Sequence, residues 1–177
     1  DTSLRELAGR ALRSAMKDAG VLQPQAVYVG SMLAASASHQ ANLGALVCEA
    51  AGLAGKAEGV TAEVAEASSA AALNLAWQAV RSGMTDVAAV VGVEKVTDVV
   101  GAGQELSLLG ASLDADYESS EGLTPTGQAA LLLQRYLYEN QFPREVLRGF
   151  AMIARNNAVN NPNAMFRREL SASAYNR

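Results

Sequence analysis

Apolar residues recur at helical intervals through the first twenty positions. Leu4, Leu7, Ala8, Ala11, Leu12, Ala15 and Met16 fall on one face of a helix over 2–19. Ser3 with Glu6 three residues on predicts a capping box, and Gly20 predicts a C-terminal stop. The period then changes. AVYVGSML at 26–33 is a short apolar run flanked by Pro24, which predicts a buried strand. QANLGALVCEAAGL at 40–53 returns to helical spacing, and VTAEVA at 60–65 predicts a second strand. ASSAAALNLAWQAVRS at 67–82 is apolar nearly all round, with Asn74 and Gln78 as its main polar interruptions. A helix of that kind is buried on most sides, and Gly83 ends it. DVAAVVGV at 86–93 is a near-continuous β-branched run, as in a strand covered on both faces.

The order αβαβαβ argues for a layered α/β fold with a largely parallel sheet. After Val93 the character changes. Residues 94–127 are loop-rich, 128–140 read as an amphipathic helix, 143–157 as another, and 158–168 as irregular chain broken by Asn-Pro. The expected division is therefore an α/β core over 1–95 and a helical, loop-rich part over 96–177. Tyr136, Tyr138 and Phe142 predict the core of that second part. The acidic stretch ASLDADYESSEG reads as solvated loop surface.

Composition removes several function classes. Net charge is -4, with no basic stripe to meet nucleic acid. No apolar run reaches the roughly 18–20 residues that a spanning helix needs. The N-terminus reads as a helix start rather than a signal peptide, so a cytoplasmic location is expected. One cysteine, Cys48, excludes an internal disulfide, and one histidine, His39, argues against a histidine metal site; no metal is expected. Cys48 lies mid-helix in an apolar stretch and reads as buried packing. His39 reads as a solvated loop residue. The chain lacks an initial Met and stops without a closing element, so it reads as a fragment or an ordered part of something longer.

SLRELAGRAL, QANLGALVCEAAGL, SGMTDVAAVVGVEKVTD and NPNAMFRREL, in that order and spacing, resemble the archaeal and sterol-carrier-type branch of the thiolase superfamily. The resemblance implies a thiolase-like half-fold: a layered, mostly parallel sheet with a buried central helix and an inserted helical loop domain after the GVEK strand. It implies a coenzyme A thioester as substrate with no cofactor bound. It further implies a homodimer or higher oligomer and a small acyl-CoA-associated partner protein. The family's second half normally supplies a catalytic His and a second catalytic Cys, neither of which can be located here.

In the family the nucleophilic cysteine heads the central helix in a pattern like E-A-A-C-A-S-G-G-A-A-L. Here the matching stretch reads Glu63-Val64-Ala65-Glu66-Ala67-Ser68-Ser69-Ala70-Ala71-Ala72-Leu73. Glu66 therefore stands at the cysteine position, and Ser69 and Ala70 replace the two glycines. A helix N-terminus favours a thiolate, and it would favour a carboxylate there by about 0.3–1 kcal/mol when exposed, whereas burial would act the other way and favour the neutral acid. A carboxylate is a poor nucleophile towards a thioester, and its acyl product is a labile anhydride, so classical thiolysis is not expected. Aldolase-type C–C cleavage or decarboxylation needs an oxyanion site and a proton relay rather than an acyl-enzyme. Glu66 is the candidate general base for such chemistry. The alternative is a non-catalytic acyl-CoA-binding or scaffold subunit. Arg167 and Arg168 are candidates for the CoA phosphates, against a solvated pair at a helix start. The resemblance puts Glu94 and Lys95 near the loop-domain entry and subunit contacts, against a structural ion pair at a strand end. Relatives often carry Lys-Asn-His where this chain reads Ile153-Ala154-Arg155.

Overall fold

The computed structural model describes residues 2–21, 23–99 and 101–176, and of 102 and 104–106 the backbone alone. Helix α1 spans Leu4–Ala19. The Ser3 hydroxyl accepts from the Glu6 amide at 3.2 Å, and Gly20 closes the helix at φ 66°. Only half of the expected capping box forms, because the Glu6 carboxylate pairs with Arg13 at 2.9 Å and Arg10 at 3.5 Å. Strand β1 (Ala26–Gly30) follows, then the short helix α2 (Ala34–Ala37), helix α3 (Leu43–Ala50) and strand β2 (Glu58–Ala62). Helix α4 (Ser68–Arg81), strand β3 (Ala88–Gly92) and helix α5 (Ala102–Leu109) complete this part. The strands form one parallel sheet in the order β2-β1-β3, with Ala26 level with Glu58 and Ala88.

Residue alternation in β1 builds a layer on each face of the sheet. Val27 and Val29 point to one side, where they meet Leu4, Ala8 and Leu12 of α1 and Leu43, Val47 and Cys48 of α3. Ala26 and Tyr28 point to the other, against Ala72, Ala76 and Ala79 of α4. Every residue of the central strand is buried. The alanine stripe on α4 lets helix and sheet approach closely. The result is a three-layer α/β half-fold, as the resemblance implies.

Two readings of burial are corrected. Helix α4 buries one stripe, Ser68, Ala72, Ala76 and Ala79. Leu73 and Trp77 on its other side are 60% and 58% exposed, and Val80 and Met84 continue the exposed row. A single sheet can cover only one side of a helix, however apolar the rest. Likewise β3 lies at the sheet edge and is mostly half-buried rather than enclosed on both faces.

The contacts divide the chain into Asp1–Pro125 and Thr126–Arg177. The second unit holds helix α6 (Pro125–Glu139, begun at the boundary), a 3-10 turn over Arg144–Leu147, α7 (Arg148–Val159) and α8 (Ala172–Tyr175). The chain between α7 and α8 is irregular, as expected. None of its described residues is buried. Tyr136, Tyr138 and Phe142 therefore do not form a core. Tyr136 and Phe142 make a tilted ring contact at 6.1 Å, yet all three rings stay exposed. Helical spacing placed them on a face, but within this unit no element covers that face. The acidic stretch is surface, its Asp114 carboxylate accepting from the amides of Asp116 and Tyr117.

Cys48 is 3% exposed, and burial pushes its thiol above the ordinary value. The raised value means that stability held below the free-thiol pKa of about 8.5 declines as pH rises through it. Iodoacetamide at pH 8 is expected to leave Cys48 unmodified in the folded protein and to alkylate it fully in urea, read by intact mass. Rapid alkylation without denaturant would contradict this packing.

Candidate active site

Parallel α/β sheets leave a crevice beyond the carboxyl ends of their strands. Here it is a cavity of about 380 Å³. Its walls are the end of β1 with the loop after it (Gly30, Ser31, Met32, Leu33), the end of β3 (Gly92, Val93, Glu94), the head of α4 and Leu109. Two glycines permit the geometry. A Cβ on Gly30 would lie 2.5 Å from the Cα of Ser69, and one on Gly92 would strike the Ser69 hydroxyl. With glycine at both places, the leading turn of α4 sits directly on the strand ends.

Glu66 lines this cavity, two residues ahead of the first helical residue. It is displayed by a tight strand-to-helix turn. Ala65 adopts φ 44°, a left-handed conformation that costs a non-glycine residue about 1–2 kcal/mol. The buried Ser68 side chain offsets the cost. Its hydroxyl accepts from the Val64 amide at 2.9 Å and donates to the Ala65 carbonyl at 2.6 Å. Ala67 and Ser68 amides donate back to Val64 and Ala65 carbonyls, and the Glu63 carboxylate accepts from the Ala65 amide at 2.6 Å. The Glu66 side chain is exposed and makes no hydrogen bond or ion pair among the described residues. The leading amides of Ser69 and Ala70 likewise find no acceptor among the described residues.

The wall opposite is held by Glu94. One carboxylate oxygen accepts from the consecutive amides of Met32 and Leu33 at 2.7 and 3.0 Å. The other accepts from the Ser31 hydroxyl at 3.1 Å. The strand read as 26–33 is cut short here: the Ser31 amide still meets the Ala62 carbonyl of β2, but the amides of Met32 and Leu33 serve a side chain rather than a neighbouring strand. The expected Glu94–Lys95 pair is corrected too, because Lys95 bridges to Asp98 at 2.6 Å instead. Neither Glu94's role nor that of Ser68 was evident beforehand. Glu94's partners lie 61 to 63 residues away in sequence, and only the GVEK pattern marked the position.

The remaining candidates lie elsewhere. His39 is exposed, at φ 53°, beside a second cavity with Asp98. Arg167 and Arg168 are exposed in the second unit. Arg167 donates to the Pro162 carbonyl at 3.5 Å, and Arg155 stacks over Phe166 at 4.3 Å. Among the described residues no cluster suited to a metal exists, and no helix is long and apolar enough to cross a membrane.

The family model of the thiolase N-terminal domain matches residues 1–173. Acetyl-CoA acetyltransferases of Methanothermobacter thermautotrophicus and Methanocaldococcus jannaschii are 34% and 35% identical over 94% and 93% of this chain. The benzoylsuccinyl-CoA thiolase subunit BbsB of Thauera aromatica is 30% identical over 94% of it. The matches cover 43%, 44% and 42% of those proteins, so the chain spans less than half the length of these relatives. The chain belongs to the thiolase family, as a counterpart of its N-terminal domain.

Ser68→Ala removes both hydroxyl bonds across the turn and leaves the Val64 amide and the Ala65 carbonyl without that partner. A loss of about 1–3 kcal/mol is expected, read as a lower urea midpoint at unchanged slope. A midpoint equal to wild type would show that the turn stands without the hydroxyl.

Proposed function

We propose that the protein binds acyl-CoA and cleaves a carbon–carbon bond in it, with Glu66 as general base in place of a nucleophile. The observation that carries this reading is an exposed, unpartnered carboxylate in the cavity at the head of α4. For a 3-hydroxyacyl thioester the step balances. Glu66 accepts the proton of the 3-hydroxyl, the oxygen's electrons close to a carbonyl, and the C2–C3 bond breaks. The pair left on C2 spreads into the thioester as an enolate. Reprotonation at C2 gives a shorter acyl-CoA and an aldehyde or ketone. The free leading amides of α4 are suited to receive the enolate oxygen.

The test follows carbonyl release from 3-hydroxyacyl-CoA by the intact protein, together with its mass after incubation with acetyl-CoA. Turnover without an acyl adduct is expected, and Glu66→Gln should lower kcat by at least about 100-fold, the usual worth of a positioned base. A stable adduct on the protein would restore acyl-transfer chemistry and end this reading.

A second reading has a specific observation in its favour. One relative is itself named as a thiolase subunit, which suits a component of a larger assembly, and on this reading the chain is its non-catalytic acyl-CoA-binding or scaffold part. It predicts binding with no turnover in wild type or variant. Both readings keep a cytoplasmic location, a homodimer or higher oligomer and a small acyl-CoA-associated partner. The open edges of β2 and β3 in the described sheet support further association.

For the CoA moiety we assign Arg167 and Arg168. Residues 126–177 carry seven arginines and no lysine against three glutamates, in a chain that is acidic overall. Arginine's fork suits phosphate. Replacing both by alanine is expected to weaken acyl-CoA binding about 10-fold or more while leaving the matching pantetheine thioester unaffected. Equal weakening of both ligands would place these arginines outside the phosphate contact.

A further inference from the structure

The cavity at the head of α4 is lined by two ionisable side chains, Glu66 and Glu94, and both are acids. Among the described residues no lysine, arginine or histidine reaches its wall. Most of the other lining side chains are apolar: Met32, Leu33, Ala65, Val93 and Leu109. One part of the wall is shaped to hold an anion. The amides of Met32 and Leu33 converge on a single point, the arrangement by which successive backbone N–H groups bind carboxylates and phosphates. That seat is taken. Glu94 fills it at 2.7 and 3.0 Å and ties its second oxygen to Ser31 at 3.1 Å. The protein's own carboxylate therefore occupies one of the two sets of donors at this wall, the other being the leading amides of α4 that the thioester oxygen would take, while the Glu66 side chain stays unpaired.

We infer that this cavity selects uncharged or hydroxylated acyl groups and rejects acyl groups that end in a carboxylate. The inference rests on the acyl-CoA reading above. A terminal carboxylate would give up water, face Glu66 and find the Met32–Leu33 amides occupied. A 3-hydroxyl instead brings Glu66 a proton to accept. By the same argument decarboxylation of a malonyl-type group falls away, because its substrate carries the charge that the site repels. Retro-aldol cleavage of a neutral chain remains.

The test titrates the intact protein calorimetrically with 3-hydroxybutyryl-CoA and succinyl-CoA, which are matched in length, and with free CoA as baseline. Succinyl-CoA is expected to bind at least about tenfold more weakly, equivalent to 1.4 kcal/mol. Glu66→Gln should bring the ratio to within about threefold, mainly by tightening succinyl-CoA. Glu94→Gln provides a second arm. The amide oxygen can still accept from both backbone N–H groups and its NH2 can donate to Ser31, so the loop keeps its bonds while the charge is gone. This variant should also narrow the ratio, and it carries the test if Glu66→Gln does not fold. Equal binding of the two thioesters to wild type overturns the inference and leaves the acyl-CoA reading standing. Discrimination that survives in both variants also overturns it. Failure of 3-hydroxybutyryl-CoA to bind more tightly than free CoA overturns the acyl-group site altogether.

Discussion

Sheet and helix meet backbone to backbone at Gly30 while the Ser69 side chain packs on Gly92, and the site exists where it does because of that contact. A side chain at Gly30 would push against the Ser68 and Ser69 main chain, and α4 would have to lift from the strand ends. Lifting the helix would carry residue 66 out of the crevice and uncover the alanine stripe that closes the second hydrophobic layer. One steric constraint therefore serves both packing and chemistry. This is common where a parallel sheet delivers a helix terminus to its carboxyl edge.

Element types and order were legible in the sequence because periodicity records which face of a segment is covered. The strands of β1, β2 and β3 and the helices α1, α3, α4, α6 and α7 fall where apolar spacing placed them, with ends shifted by a few residues. The shifts have local causes. Strand β1 is cut short where Glu94 claims the amides of Met32 and Leu33. Strand β2 stops at Ala62, ahead of the left-handed Ala65. Neither cause leaves a periodic trace. Glu66 was singled out for a different reason, the resemblance of the stretch around it to a family pattern, and the structure places it on the cavity at the head of α4.

Burial was the less legible quantity. An all-round apolar helix tells how much cover it can accept, and here one sheet covers half of α4. The chain corresponds to 42–44% of the length of its relatives, and its exposed rows at Leu73, Trp77, Val80 and Met84 are those of a helix with apolar surface on two sides. The second unit makes the same point more strongly, since its amphipathic helices present apolar faces and bury no described residue. Side-chain pairing between distant residues was equally hidden, as Glu94 illustrates: adjacency in sequence suggested Lys95, whereas the fold offered amides.

The turn at Ala65 separates scaffold from reagent. Its shape is enforced by the Ser68 hydroxyl and by main-chain bonds on either side, and none of these involves the side chain at position 66. Such a socket can present a different side chain without renegotiating the architecture that holds it. Divergence of reaction type can then outrun divergence of shape, so membership of this family describes the holder more securely than the tool it grips.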